Sequence, residues 1–276
     1  MDRLRVIDFS VLGILAVLPA CGKEAPPEEP VAIPAVMVMA TDFAFQMPDT
    51  LTAGVTTFRL MNHGQELHHL VLVKLPEGIG LAEFRNLKPG EPPPAGMVFK
   101  GGPNAAAPGG TAEATVDLEP GRYAVVCVIP SPDGMPHLVK GMAREITVIA
   151  GDNQAKLPDP DVTMKLADYS FSPSAVLTAG PHVMAIENTA SQWHELVLLK
   201  LETGKTAQEM LAWLEKPEGP PPGSPLNGVG PLGPGESNVV SVELTPGEYA
   251  MICFLPDAKD GKPHFVHGMI QQVSVK

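Results

Sequence analysis

The sequence predicts an all-β protein built from two tandem β-sandwiches. Three observations carry this: an internal repeat at a spacing of 126 residues, short β-type runs between Gly-, Pro- and Asn-rich breaks, and 27 glycines with 31 prolines in 276 residues. Inside a helix, Gly and Pro cost roughly 1 and 3 kcal/mol relative to Ala, so this composition disfavours long helices. The repeat keeps its spacing across separate blocks. Leu51-Thr52-Ala53-Gly54 recurs as Leu177-Thr178-Ala179-Gly180, and His68-x-Leu70-Val71-Leu72-x-Lys74-Leu75 as His194-x-Leu196-Val197-Leu198-x-Lys200-Leu201. Pro120-Gly121-x-Tyr123-Ala124-x-x-Cys127 recurs as Pro246-Gly247-x-Tyr249-Ala250-x-x-Cys253. Solenoid repeats run about 20–50 residues, so this period marks a duplicated domain. The expected domains are residues 36–150 and 162–276, with a linker at 151–161 containing Asp-Pro and Pro-Asp pairs.

Residues 1–20 are expected to be a targeting segment. Arg3 and Arg5 precede an apolar run from Phe9 to Ala20, too short to span a bilayer. The run ends in Leu18-Pro19-Ala20-Cys21, which resembles a bacterial lipobox and implies a lipid on Cys21. The alternative is an ordinary secretory signal; either way the mature chain is exported. Lipidation places it on the periplasmic or cell-surface face of a bacterial membrane, with the lipid as its only membrane attachment. Residues 21–35, rich in Pro and Glu, read as a semi-rigid tether.

Within the first repeat, Thr56–Leu60, Leu70–Leu75, Ala114–Leu118, Tyr123–Ile129 and Glu145–Ile149 are the strand signals. Each repeat also has a helical signal in a long inter-strand loop. In the second it is a capping box, Thr206-x-x-Glu209, followed by Met210-Leu211-x-Trp213-Leu214. In the first, Leu81–Leu87 is weaker. Pro92-Pro93-Pro94 and Pro220-Pro221-Pro222 read as surface excursions.

Charge and cysteine usage narrow the function. A net charge of −12 argues against nucleic acid, whose phosphates need a Lys/Arg-rich face. Three cysteines cannot all pair internally, so a disulfide framework is not expected. What remains is a set of four residue types in the same order in each repeat. They are His68, Cys127, His137 and Met142 in the first, and His194, Cys253, His264 and Met269 in the second. Two imidazoles, a thiolate and a weak thioether are the ligands of a blue-copper electron-transfer site. Singly, each residue has a plain structural use: a buried Cys is usually a small hydrophobe, and Met a core filler. His69 adjoins His68, but its counterpart is Glu195, and strand alternation turns it to the opposite face. His267 stands where the first repeat has Lys140.

Tyr123-x-x-x-Cys127-x-x-Pro130, then His137-x-x-x-Gly141-Met142 and a final β run, resembles the ligand loop of the cupredoxin family. Tyr249, Cys253, Pro256, His264, Gly268 and Met269 repeat it. The resemblance implies two Greek-key sandwiches, each with one copper under the loops at one end. One departure stands out: nine residues separate Cys127 from His137 and ten separate Cys253 from His264, where family members have about two to four. Asp133-Gly134 and Asp260-Gly261 provide turns that would return the chain.

Fused cupredoxins include multicopper oxidases and nitrite reductases, but those resemblances weaken at the residues that would carry the chemistry. They place a His beside the Cys; here the neighbours are Val126 and Val128, and Ile252 and Phe254. His-x-His is absent from the sequence. The expectation is therefore a non-enzymatic electron carrier with one copper per domain and a periplasmic redox partner such as a cytochrome. The other reading is a module that stores or delivers copper, or a metal-free scaffold.

Overall fold

The computed structural model describes residue 1 and residues 31–85, 94–151 and 153–276. The targeting segment, Cys21 and most of the tether lie outside the described residues, as do residues 86–87 of the first helical signal. In the first repeat, β1 (Ala35–Thr41), β2 (Ala44–Gln46), β3 (Thr50–Thr52), β4 (Gly54–Asn62) and β5 (Val71–Leu75) precede helix α1 (Leu81–Arg85). Strands β6 (Val98–Phe99), β7 (Thr111–Leu118), β8 (Gly121–Val126) and β9 (Ala143–Ile149) complete it. The second repeat has β10 (Val162–Ala167), β11 (Ser170–Pro173), β12 (Gly180–Asn188), β13 (His194–Leu201), α2 (Ala207–Glu215), β14 (Gly223–Leu232), β15 (Ser237–Leu244), β16 (Gly247–Ile252) and β17 (Ile270–Val275). The chain is mostly β. Strands β4, β7 and β8 recur as β12, β15 and β16 at the 126-residue spacing seen in the sequence.

Helix α2 begins where its capping box places it. Thr206 Oγ1 accepts the Glu209 amide at 3.1 Å, and Glu209 Oε2 accepts the Thr206 amide at 2.9 Å. Two of the helix's otherwise unpaired donors are thereby satisfied.

The strands form three sheets. The largest runs β11-β10-β12-β15-β7-β4-β1-β2, so its two halves mirror one another. The others are β3-β9-β8-β5-β6 and β14-β13-β16-β17. One core lies between the first half of the long sheet and the five-stranded sheet, with Phe58, Leu60, Val116, Leu72, Tyr123 and Val125 in one apolar cluster. A matching core in the second repeat contains Met164, Ile186, Val242, Leu198 and Tyr249. Val71-Leu72-Val73 and Ala124-Val125-Val126 are buried throughout. Both faces of β5 and β8 are covered, which is why these stretches show no alternation in sequence. The Tyr123 and Tyr249 hydroxyls donate to the Glu119 and Thr245 carbonyls at 2.8 and 2.9 Å, pinning the turns before β8 and β16.

Residues Val31–Lys276 pack as one unit. The repeats meet where β7 pairs with β15 at Thr115 and Val239. They meet again where Pro103 bridges Val229, its own counterpart 126 positions on. Around that bridge the Gly101 amide donates to the Pro231 carbonyl at 3.0 Å, and the Gly230 amide to the Gly102 carbonyl at 2.9 Å.

Close backbone approach between β14 and β13 requires glycine. Gly228 has φ 152°, and a Cβ there would lie 1.9 Å from the Leu196 carbonyl oxygen. Gly228→Ala is therefore expected to destabilise the chain by about 3 kcal/mol or more, through the clash and an unfavourable backbone together. Gly235→Ala, at φ 79° but facing open space, should cost only about 1–2 kcal/mol. Urea unfolding of the two variants measures the difference.

Candidate functional site

Each repeat gathers a thiol and two imidazoles at one end of its core. In the first, Asn62 closes β4 and organises the segment before His68. Its Nδ2 donates to the Glu66 and Ala106 carbonyls at 2.7 and 2.8 Å, and its Oδ1 accepts the Gly64 amide at 2.8 Å. The His68 amide then donates to the Ala106 carbonyl at 3.1 Å. Asn188 repeats the arrangement on the Gln192 and Leu232 carbonyls at 2.7 and 2.8 Å.

The long Cys-to-His segment folds back as a small hairpin. Pro130 bridges Pro136, the His137 amide donates to the Ile129 carbonyl at 3.0 Å, and the Leu138 amide to the Cys127 carbonyl at 2.7 Å. In the second repeat Pro256 bridges Pro263, and the His264 and Phe265 amides donate to the Leu255 and Cys253 carbonyls at 2.8 and 3.1 Å. The extra residue is absorbed at the hairpin tip, so both loops return a histidine to the cysteine.

His68, Cys127 and His137 form one group whose donor atoms lie within 4.8 Å of one another, and His194, Cys253 and His264 form another. All six are buried. His68 Nδ1 and His137 Nδ1 face each other at 3.0 Å, and His137 Nδ1 lies 3.4 Å from Cys127 Sγ. In the second group Cys253 Sγ is 4.0 Å from His194 Nδ1 and 3.4 Å from His264 Nδ1. Ring nitrogens and sulfur converging on one buried point suit a single soft or borderline metal ion, since imidazole and thiolate are the donors such ions prefer. Met142 and Met269 are fully buried in the same apolar clusters as Cys127 and Cys253. Each is tied to its neighbours through the backbone: the Cys127 amide donates to the Met142 carbonyl at 3.1 Å, and the Met142 amide to the His137 carbonyl at 2.9 Å. Both cysteines are free.

The outward ring nitrogens meet carboxylates, which sequence reasoning did not single out. Asp42 Oδ1 lies 3.1 Å from His68 Nε2, and Glu66 Oε2 lies 2.9 Å from His137 Nε2. Such partners fix a ligating imidazole's tautomer and orientation. Asp168 repeats the first contact at 3.1 Å from His194 Nε2. The second differs: Gln192 replaces Glu66, and Asp257, at 3.9 Å from His264 Nε2, provides the nearby carboxylate from the hairpin. Among the described residues, His264 Nε2 is buried with no hydrogen-bond partner. Asp257 instead accepts the Tyr169 hydroxyl at 2.5 Å. The readable signal was Asp42-Phe43-x-Phe45, which recurs as Asp168-Tyr169-x-Phe171. Phe43 and Tyr169 both adopt left-handed backbone, φ 67° and 63°, and set their rings edge-on to His137 and His264. Strain of this kind concentrates at functional sites.

Burial dominates the electrostatics. It pushes the Cys127 thiol up to about 12 and moves Cys253 in the same direction, opposed by backbone amide donors at each sulfur. It pulls His68 and His194 down, and His264 down to about 4. Burial thus favours the neutral, ligating form of His68, His194 and His264, whereas each thiol must lose its proton when a metal ion binds. Beside the groups, His69 is buried on the other face of its segment, as alternation predicted. His267 lies 3.1 Å from Asp260 at the rim, with its side chain 28% exposed.

No protein-family model matches the chain, and no curated protein matches it in sequence. Solved structures similar to it include a dithionite-reduced auracyanin from Roseiflexus castenholzii, 22% identical over 41% of this chain and 94% of that one, with a TM-score of 0.28. Auracyanin A, a blue copper protein from Chloroflexus aurantiacus, is 22% identical over 42% and 99%, with a TM-score of 0.31. A multicopper oxidase is 12% identical over 88% of both chains, with a TM-score of 0.25.

The buried titratable pair behind the groups predicts an acid response of the metal-free protein. His69 sits at about 4, below the 6.5 of an unfolded histidine, because of burial. Its contribution is complete above the unfolded value and is lost as pH falls from 6.5 towards 4, about 3 kcal/mol in all. Burial raises Glu195 from 4.5 to about 7, so its contribution is present at low pH and lost as pH rises through that window. His69→Gln should flatten the fall in urea midpoint between pH 6.5 and 4, and Glu195→Gln should steepen it.

Proposed function

We propose that the chain is a copper-binding electron carrier of the cupredoxin type, with two tandem Greek-key sandwiches and one copper in each. The observation that carries this reading is the convergence of two Nδ1 atoms and one Sγ on a buried point, in each repeat, with Met142 or Met269 buried alongside. Copper held by such a donor set supplies a centre that gains and loses one electron. His68, Cys127 and His137, with Met142, would hold it in the first repeat; His194, Cys253 and His264, with Met269, in the second.

The chain's own residues make that exchange economical. The hairpins keep water from the sulfurs, the backbone amides beside each Cys stabilise a thiolate, and Asp42, Glu66 and Asp168 hold the imidazoles in one orientation. Donors already in place before the metal arrives limit rearrangement on electron exchange. The role proposed for these residues is electron carriage. The charge of −12 suits a basic redox partner such as a cytochrome. The lipobox-like run gives a chain tethered through Cys21 to the periplasmic or surface face of a bacterial membrane.

Cu(II) added to the metal-free soluble part should produce a strong thiolate-to-copper absorption at two equivalents per chain. Cys127→Ser and Cys253→Ser should each remove about half of it, and the double variant all of it. A colourless complex, or binding indifferent to both substitutions, would favour copper storage or a metal-free scaffold. In the full chain, Cys21→Ala should abolish lipid labelling and release the protein from membranes; retention in the membrane fraction would rule out the anchor.

A further inference from the structure

A buried chain of hydrogen bonds links the residue after one cysteine, Val128, to the residue after the other, Phe254. The residue after each first histidine is polar and buried: His69 after His68, and Glu195 after His194. Each makes the same local contact, accepting the amide that follows the cysteine. His69 Nε2 accepts the Val128 amide at 2.9 Å, and Glu195 Oε1 accepts the Phe254 amide at 3.0 Å.

The remaining polar atoms of both side chains meet on one residue. His69 Nδ1 lies 3.3 Å from Asn104 Oδ1, and Asn104 Nδ2 donates to Glu195 Oε2 at 3.1 Å. The directions are fixed: because His69 Nε2 is an acceptor, Nδ1 carries the proton and donates to Asn104, which in turn donates to Glu195. A path of three side chains therefore runs from the Val128 amide, next to Cys127, to the Phe254 amide, next to Cys253.

The surroundings are built to seat this bridge. Asn104 is buried and also donates to the Val229 carbonyl at 3.0 Å. Its counterpart in the second repeat is Gly230, so the crossing side chain comes from the first repeat. Ala105 beside it adopts left-handed backbone, φ 60°. The residue before each first histidine crosses the other way. Leu67 packs in an apolar cluster with Phe254 and Phe265 of the second repeat, and Trp193 in one with Val128 and Leu138 of the first.

We propose that His69, Asn104 and Glu195 couple the two centres, so that metal entering one repeat alters the environment of the other repeat's cysteine. They act as positioning residues: none is a candidate ligand, and each works through an amide beside a sulfur. The inference rests on the copper reading of the centres.

The test uses the whole chain. In the metal-free protein, Glu195→Gln keeps an acceptor for one of the two amide partners but not for both. In 1H–15N spectra it should shift the Val128 amide in the opposite repeat as well as the Phe254 amide beside it. With Cu(II), filling one repeat should change the affinity of the other by about fivefold or more, measured against Cys127→Ser and Cys253→Ser chains that leave one centre empty. Asn104→Leu should bring that ratio to one. Absence of the thiolate band in both repeats would overturn the copper reading and the coupling with it. A band in both repeats with independent binding, or a Val128 amide that ignores Glu195→Gln, would overturn the coupling alone.

Discussion

The withdrawal of a thiol and two imidazoles from water at a single point is the constraint around which each repeat is organised. Polar groups lose several kcal/mol of hydration when buried without partners. His68, His137 and Cys127 are all fully buried, so the protein must satisfy what it hides. It does so in two directions. Outward, Asp42 and Glu66 take the far ring nitrogens. Inward, the ring nitrogens and sulfur are left facing one another, two Nδ1 atoms at 3.0 Å. With each Nε2 turned to a carboxylate that only accepts, the Nδ1 atoms are left to present lone pairs to one another. A cation accepting all the lone pairs satisfies them together, which is why the donor set argues for a metal more strongly than any one residue does.

The same constraint accounts for the stretched loop between cysteine and second histidine. Length matters less than where the loop's hydrogen bonds go. Both hairpins close on themselves through proline bridges and hand the histidine back within one bond of the cysteine backbone. Residues between the closing bonds are then free to vary in number, and the second repeat carries one more without moving its histidine from the cysteine. Fixed points set by backbone pairing tolerate insertion at the tip.

Much of this was legible in the sequence, and the remainder was hidden for identifiable reasons. The strands β4, β7 and β8 and their copies follow from the 126-residue repeat, α2 from its capping box, and the ligand-type residues from their order in both repeats. Glu66 was not legible, and Asp42 was marked only by the recurrence of Asp42-Phe43-x-Phe45 as Asp168-Tyr169-x-Phe171. Acidic residues are common on a surface, and the turn that lifts Asp42 to His68 depends on a left-handed Phe43 that composition does not announce. The shared sheet was hidden because β7 and β15 pair at one residue position, too little to leave a pattern. Asn104 was missed because comparing repeats favours what recurs, and its counterpart is Gly230. Residues on the meeting line of two copies are those that duplication must make different.

That asymmetry extends to the second histidines. In the first repeat the carboxylate stands before the first histidine, as Glu66, and touches His137 Nε2 directly. In the second, Gln192 occupies that position and the carboxylate moves to Asp257 on the hairpin, where Tyr169 holds it. Hydrogen bonds from Tyr169 and the Lys259 amide keep Asp257 well below the ordinary carboxylate range, so it stays charged yet only approaches His264 Nε2. One imidazole is thus anchored by a charged hydrogen bond and the other, among the described residues, is buried with its outer nitrogen unpaired. A negatively charged partner raises a ligating imidazole's basicity, and loss of that contact lowers it. Two centres with the same inner donors therefore differ in how strongly their outer partners push charge inward. The two repeats keep the inner donors constant and differ in the electrostatic setting of the second histidine, so the two donor groups are unequal.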